Sequence, residues 1–150
     1  MTDGTIRSVD IERTSVGRYV ARNVRGGSIS VGTGDEDSFT PVELLLAAIG
    51  GCTAIDVDLI TSRRAEPSEF SVKVSGDKIR DATGGNRMEH LTVQFTIAFP
   101  DGEAGDAARE ALPRAVRMSH DRLCTVSRTV ELGTPVATAI VSRSSSSAEA

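Results

Sequence analysis

The sequence has no tryptophan, one tyrosine and four phenylalanines, so aromatics make up only 3% of its 150 residues. That scarcity argues against a base-stacking or sugar-binding platform. Positive charge is not in excess either. Seventeen Lys and Arg stand against 21 Asp and Glu, a net charge of −4, whereas a general nucleic-acid binder shows a basic surplus or stripe. No basic run exceeds Arg63-Arg64, which leaves attraction to an acidic membrane surface unsupported. The opening MTDGTIRSVD lacks the apolar core of a secretory leader. The apolar part of 43–60 is short for a membrane span and soon meets Asp56 and Asp58. The expectation is a cytoplasmic protein without nucleic-acid or membrane partners. Cysteine is limited to Cys52 and Cys124. In a reducing compartment a permanent staple is disfavoured, which leaves burial, a metal or redox chemistry.

What is present reads as one domain over 1–143, with a core-sized 39% of hydrophobic residues. Segments 5–13, 17–24 and 27–32 alternate imperfectly and read as an antiparallel meander turning at Gly26-Gly27. After the polar loop 33–38, a helix start is well marked. Thr40 takes the N-cap position, Pro41 the first helical one, and Glu43 completes a capping box. This helix is expected to run to about Arg64, because Glu66 precedes Pro67. At roughly 24 residues it would be about 36 Å long. Its first half is apolar all round and must be enclosed by sheet or by a partner chain. Segments 69–79 and 90–99 alternate cleanly as strands with one buried face, joined by the Gly-rich 81–89. A second helix is expected over 103–122, interrupted at Pro113. Segments 125–132 and 135–143 read as a closing hairpin around Gly133-Thr134, and 144–150 as a disordered polar tail.

Cys52 is the first residue of chemical interest. On a helix its same-face neighbours are Ala48, Ile49, Ile55 and Asp56. Apolar surroundings and the Asp56 carboxylate both raise a thiol pKa, so the local sequence predicts an inert thiol unless tertiary structure brings a cation. Gly50 and Gly51 each cost roughly 1 kcal/mol relative to alanine inside a helix. They imply either close packing against another backbone, including a second subunit's helix, or space beside the sulfur. Cys124 follows His120 by four residues, so imidazole and thiol could share a face. A zinc set of Cys52, Cys124, His120 and His90 lacks any C-x-x-C or H-x-x-x-H pairing, and no metal is expected. Neither a G-x-S-x-G, a phosphate loop nor a dinucleotide fingerprint is present.

PVELLLAAIGGC on a helix, about 70 residues of strands and helix, then SHDRLCTVS: this order resembles the OsmC/Ohr family of osmotically inducible and organic hydroperoxide resistance proteins. The likeness covers nearly the whole chain. It implies an α+β fold, the OsmC-like one, with antiparallel sheets wrapped around a long central helix in an intertwined homodimer. It also implies a two-cysteine peroxidase without metal or organic cofactor. Cys52 would be the peroxidatic thiolate, oxidised by an organic hydroperoxide to a sulfenic acid. Cys124 would resolve it as a disulfide, which an external dithiol, a lipoylated protein in the hydroperoxide branch, reduces. An arginine of the N-terminal strands supplies the family's cation. Arg25 is the matching position, ahead of Arg22 and Arg18. The peroxidase branches carry a pocket glutamate directly after the helix-starting proline. Here that place holds Val42, and the acid is Glu43, whose spacing from Thr40 already explains it as a cap. Proline follows the second cysteine in those branches, and here Thr125 does.

Two functions from different classes follow. One is the thiol-dependent reduction of organic hydroperoxides through Cys52, Cys124, Arg25 and Glu43. The alternative is a dimeric binding module that holds a small apolar or electrophilic ligand at the subunit interface. Val42, Asp56 and the low polarity around Cys52 favour the second.

Overall fold

The computed structural model describes residues 4–143, so the expected tail at 144–150 lies outside the described residues. Three short strands open the chain: β1 (Asp10–Ser15), β2 (Arg18–Arg22) and β3 (Ser28–Val31). They form the expected antiparallel meander in the order β1-β2-β3. Helix α1 (Pro41–Thr61) follows. Thr40 is its N-cap with φ −79° and ψ 158°. The Glu43 amide donates to Thr40 Oγ1 at 3.2 Å, and the Thr40 amide donates to Glu43 Oε1 at 2.9 Å. The capping box read from the sequence is therefore formed, and these bonds hold the Glu43 carboxyl below its usual pKa.

Along α1 the residues at intervals of four, Ile49, Thr53, Val57 and Thr61, are buried. This stripe faces the second half of the chain. The adjoining stripe of Ala48, Gly51, Ile55 and Leu59 is exposed. Strands β4 (Glu69–Arg80) and β5 (Asn86–Ala98) make a long antiparallel ribbon that packs on α1. Phe70 pairs with Ile97, Val72 with Phe95 and Val74 with Val93, so the alternation seen in the sequence supplies one apolar face. The ribbon is longer than the sequence suggests. Asp81 closes its turn by accepting the Thr83 amide at 2.9 Å and the Gly85 amide at 3.1 Å. That Asx-type chemistry lets residues 86–89 join the ladder instead of forming a loop.

Helix α2 (Glu103–Met118) continues through Pro113 and is followed by one π-helical turn at Ser119–Leu123. The expected closing hairpin does not form. Residues Thr125–Leu132 are a helix, α3, with Cys124 as N-cap and Gly133 as C-cap at φ +64°. Four β-branched residues in this stretch suggest strand propensity, yet Val126 and Val130 are spaced one helical turn apart. The left-handed Gly133 then ends the helix, where the sequence suggests a hairpin turn. Residues 135–143 have no regular secondary structure, and Val136, Ile140 and Val141 are exposed.

Candidate functional site: the facing thiols

Helix α1 delivers Cys52 and the π-helical turn delivers Cys124, 72 positions later, to one place. Both cysteines are free thiols, Cys52 half-buried and Cys124 fully buried. The two thiols are neighbours, each altering the other's proton affinity. What brings them together is the irregular stretch between α2 and α3. The π turn holds the Cys124 amide on the Ser119 carbonyl at 2.9 Å, and Cys124 leaves it in an extended conformation with ψ 96°. Single π turns inside helical stretches are frequent at functional sites.

The N-terminus of α3 points at both sulfurs. The Ser127 amide donates to Cys124 Sγ at 3.3 Å, and the Cys124 thiol donates to Ser127 Oγ at 3.2 Å. The Val126 amide is directed to the Cys52 sulfur. A helix N-terminus carries unsatisfied N–H groups and partial positive charge, which favour a thiolate. For Cys124, burial opposes ionisation, but the Ser127 hydroxyl, the Cys52 thiol and the Ser127 amide outweigh it and bring the thiol below its ordinary pKa. For Cys52, burial dominates. The Val126 amide works against it, while Cys124 and Asp56 push further up, so this thiol lies above its ordinary pKa. The sequence reading of Cys52 as a thiol raised by burial and Asp56 agrees with this geometry. The two thiols titrate as one coupled pair.

A polar cluster backs the thiols. Ser119 Oγ donates to Asp56 Oδ2 at 2.8 Å and lies 2.9 Å from Thr53 Oγ1. Ser119 is fully buried and Thr53 is 7% exposed. Because the single Ser119 proton goes to Asp56, Thr53 must donate to Ser119. Sequence reasoning missed Ser119, Val126 and Ser127. The one available signal was Cys124 three residues before Ser127, the spacing of an N-cap and its N3 residue.

The other expected site residues lie elsewhere. Arg25 sits at the β2–β3 turn, its amide held by Asn23 Oδ1 at 3.0 Å, and no arginine is among the groups acting on Cys52. Arg18 pairs with Glu36 and Arg22 with Glu12. Glu43 is engaged in the cap. His90 meets Asp77 on the β4–β5 ribbon, and His120 bridges Asp121 and Glu131, so neither imidazole joins the sulfurs. Gly50 and Gly51 divide the two explanations the sequence offers. A Cβ on Gly50 would come within 2.4 Å of Val74 Cγ2, whereas one on Gly51 would meet nothing within 4 Å. Close strand packing explains Gly50, and Gly51 opens the exposed face of α1.

Next to the thiols, a cavity of about 380 Å³ lies between α1, β5, α2 and α3. Ile49, Leu91 and Phe95 make it apolar. Thr53 and Ser127, the latter hydrogen-bonded to Cys124, bring hydroxyls to it, and His120 and Glu131 line it as well, whereas neither cysteine does.

Residues 33–139 match the OsmC-like protein family. An uncharacterized protein of Mycobacterium tuberculosis is 33% identical over 128 residues, which is 84% of this chain and 90% of that one. The structure of an OsmC-like protein of unknown function from Vibrio cholerae aligns with a TM-score of 0.71 at 12% identity, covering 85% of this chain and 95% of the other. The organic hydroperoxide resistance protein OhrB of Bacillus subtilis aligns at 0.53 with 13% identity, over 83% and 90% of the two chains. The paired cysteine motifs, the α+β architecture and the family match agree: this chain belongs to the OsmC-like protein family.

Proposed function

We propose that the protein is a thiol-dependent peroxidase that reduces organic hydroperoxides. The observation that carries this reading is the meeting of Cys52 and Cys124, 72 positions apart in sequence, at the N-terminus of one helix. Cys52 is the sulfur with access to solvent, so it attacks the terminal peroxide oxygen. An S–O bond forms, the O–O bond breaks and the alcohol leaves. Cys124 then attacks the Cys52 sulfur, an S–S bond forms and water leaves. An external dithiol returns the pair to two thiols. No cofactor is required for this sequence of steps.

The working unit in this reading is a homodimer. Large apolar side chains stand exposed on the single chain: Ile55 and Leu59 of α1 are each 62% exposed, and Ile11, Tyr19 and Ile29 of β1–β3 are exposed as well. An 18-residue stretch of α1 has mean hydropathy 1.8 and is only 28% buried. That length and hydropathy also meet the bare criterion for a membrane-crossing helix. The buried polar stripe of Thr53 and Thr61 fits protein packing better. A second copy laid on the α1 stripe would enclose Cys52 and carry its own β2–β3 turn, the source from which Arg25 would supply the cation.

The test is titration of the fully reduced protein with cumene hydroperoxide, followed by free-thiol counts and intact mass. Loss of two thiols per chain at one equivalent, with a Cys52–Cys124 disulfide, is the expected result. Unchanged thiols, or oxidation of a single sulfur beyond sulfenic acid, would refute the peroxidase. The second reading, a module binding small apolar or electrophilic ligands, is favoured by the cavity beside the thiols and by the raised pKa of Cys52. Cys52→Ser separates the two, since it abolishes peroxide turnover but leaves retention of an apolar ligand intact.

A further inference from the structure

Helix α3 is eight residues long and buries none of them fully. It carries no acidic side chain in its first turn and no basic one in its last, so its own residues do not complement its dipole. A helix this short does not hold by itself in water. Its N-cap is Cys124, outside the usual set of Ser, Thr, Asp and Asn. The cap is made by the sulfur, which accepts the Ser127 amide at 3.3 Å while the thiol donates to Ser127 Oγ at 3.2 Å. Half-buried Val126 and Ser127 bring this end of α3 against α1. The far end is clasped by His120 on Glu131 at 2.8 Å and by Arg128 on the Asp121 carbonyl at 2.6 Å, both exposed contacts. The end nearest the thiols is thus fastened by a group that oxidation changes.

We propose that α3 is a redox-sensitive wall of the cavity: Cys124 caps it in the dithiol form, and joining Cys124 to Cys52 uncaps it. The inference rests on the dithiol reading above, but not on which oxidant acts. Two S–H bonds give way to one S–S bond, and two electrons and two protons pass to the oxidant. A hydroperoxide becomes an alcohol and water, and diamide becomes its hydrazine. Cys124 then has no proton to give Ser127 Oγ. Its sulfur, now bonded to Cys52 on α1, is drawn away from the Ser127 amide. Both bonds at the first turn of α3 are lost together. Ser127, Val130 and Glu131 form the α3 side of the 380 Å³ cavity, so a loosened α3 opens the cavity from that side. The redox state of the pair thereby sets how firmly an apolar guest is held: closed in by the dithiol, released by the disulfide.

The test compares hydrogen exchange at the Ser127 and Arg128 amides in the chain reduced with dithiothreitol and in the chain joined by diamide. Intact mass verifies the bond, and one fixed pH keeps the His120–Glu131 clasp in the same state. The disulfide form is expected to exchange about five-fold faster or more at these amides, the loss of one N-cap, with the β4–β5 amides unchanged. Cys52→Ser keeps the Cys124 cap and cannot form the bond, so diamide leaves its α3 exchange as it was. Cys124→Ser supplies a hydroxyl cap that oxidation does not remove, and its α3 stays protected under both conditions. Binding of 2-phenyl-2-propanol, the alcohol that cumene hydroperoxide yields, is expected to be weaker in the disulfide form by NMR titration of the Ile49 and Leu91 methyls. Equal α3 exchange in the two forms overturns the proposal, as does a pair that diamide fails to join. Equal binding of the alcohol overturns the link to the cavity. A chain joined by diamide yet inert to cumene hydroperoxide refutes the peroxidase alone, and the same exchange comparison still decides the uncapping.

Discussion

Ser127 gives its amide to the Cys124 sulfur and offers its hydroxyl to whichever form of the group is present. As a thiol, Cys124 donates to Ser127 Oγ. As a thiolate it accepts, because the hydroxyl rotates to present its proton. Ser127→Ala removes this second donor while leaving the amide in place. The expected result is a rise in the pH at which the first thiol ionises, read by absorbance at 240 nm. A slower alkylation by iodoacetamide below that pH follows, because the thiolate is the nucleophile. An unchanged ionisation profile would show that the amide alone holds Cys124 down. Cys52 gains no such pair of donors, which is why two thiols on neighbouring elements titrate in opposite directions from their common starting value.

Within α1, two adjacent glycines have opposite surroundings, and substitution separates them. Gly50→Ala places a methyl 2.4 Å from the stiff, β-branched Val74 on the facing strand. Overpacking of this kind costs about 1–3 kcal/mol, measurable as a lower urea midpoint. Gly51→Ala meets nothing within 4 Å, and within the isolated chain helix propensity favours it by roughly 1 kcal/mol. The two glycines are indistinguishable in sequence because the contact that separates them comes from Val74, more than 20 positions away. The same limit applies elsewhere. The capping box at Thr40 and the alternation of β4 and β5 are local patterns, legible without tertiary information. Helix α3 was also encoded locally, by Cys124, Ser127 and Gly133, but β-branched content masked its period. The Val126 amide on Cys52 has no side-chain signature at all, and Asp56 was legible as a neighbour of Cys52 but not as a partner of Ser119.

Helix α3 is held to the π turn by His120, whose Nε2 lies 2.8 Å from Glu131 Oε1 and Nδ1 2.9 Å from Asp121 Oδ1. The hydrogen bonds to Asp121 and then Glu131 raise the imidazole above its ordinary pKa. A group whose pKa is higher in the folded than in the unfolded state contributes stability that is fully present below the unfolded value and lost as pH rises through the folded one. Hydrogen exchange of the α3 amides, corrected for intrinsic rates, is therefore expected to show better protection at pH 6 than at pH 8.5. Glu131→Gln should flatten that difference. The His120 side chain is 58% exposed, so the effect is confined to docking of this element, and global stability should shift little. Protection independent of pH in the wild type would exclude the imidazolium as the clasp.

At the scale of the molecule, the placement of exposed apolar surface carries the argument for a second copy. Ala48, Cys52, Ile55 and Leu59 recur at intervals of four, three and four, the spacing at which one helix seats against another. Small residues at Ala48 and Gly51 permit a close approach, and the larger Ile55 and Leu59 supply burial worth about 1.5–3 kcal/mol each when fully covered. Among the described residues nothing covers this side of α1, and β4, α2 and α3 pack on its other sides. Light scattering on the purified protein should accordingly give twice the 15.8 kDa chain mass at micromolar concentration. Ile55→Glu combined with Leu59→Lys should shift it toward the single chain, and Gly51→Leu should do the same by preventing close approach. The variants also connect assembly to chemistry. If a second chain encloses Cys52, the dissociated variants will alkylate Cys52 faster while reducing cumene hydroperoxide more slowly. A wild type that is monomeric at micromolar concentration, or variants that dissociate with peroxide reduction intact, would separate the thiol pair from any need for a partner.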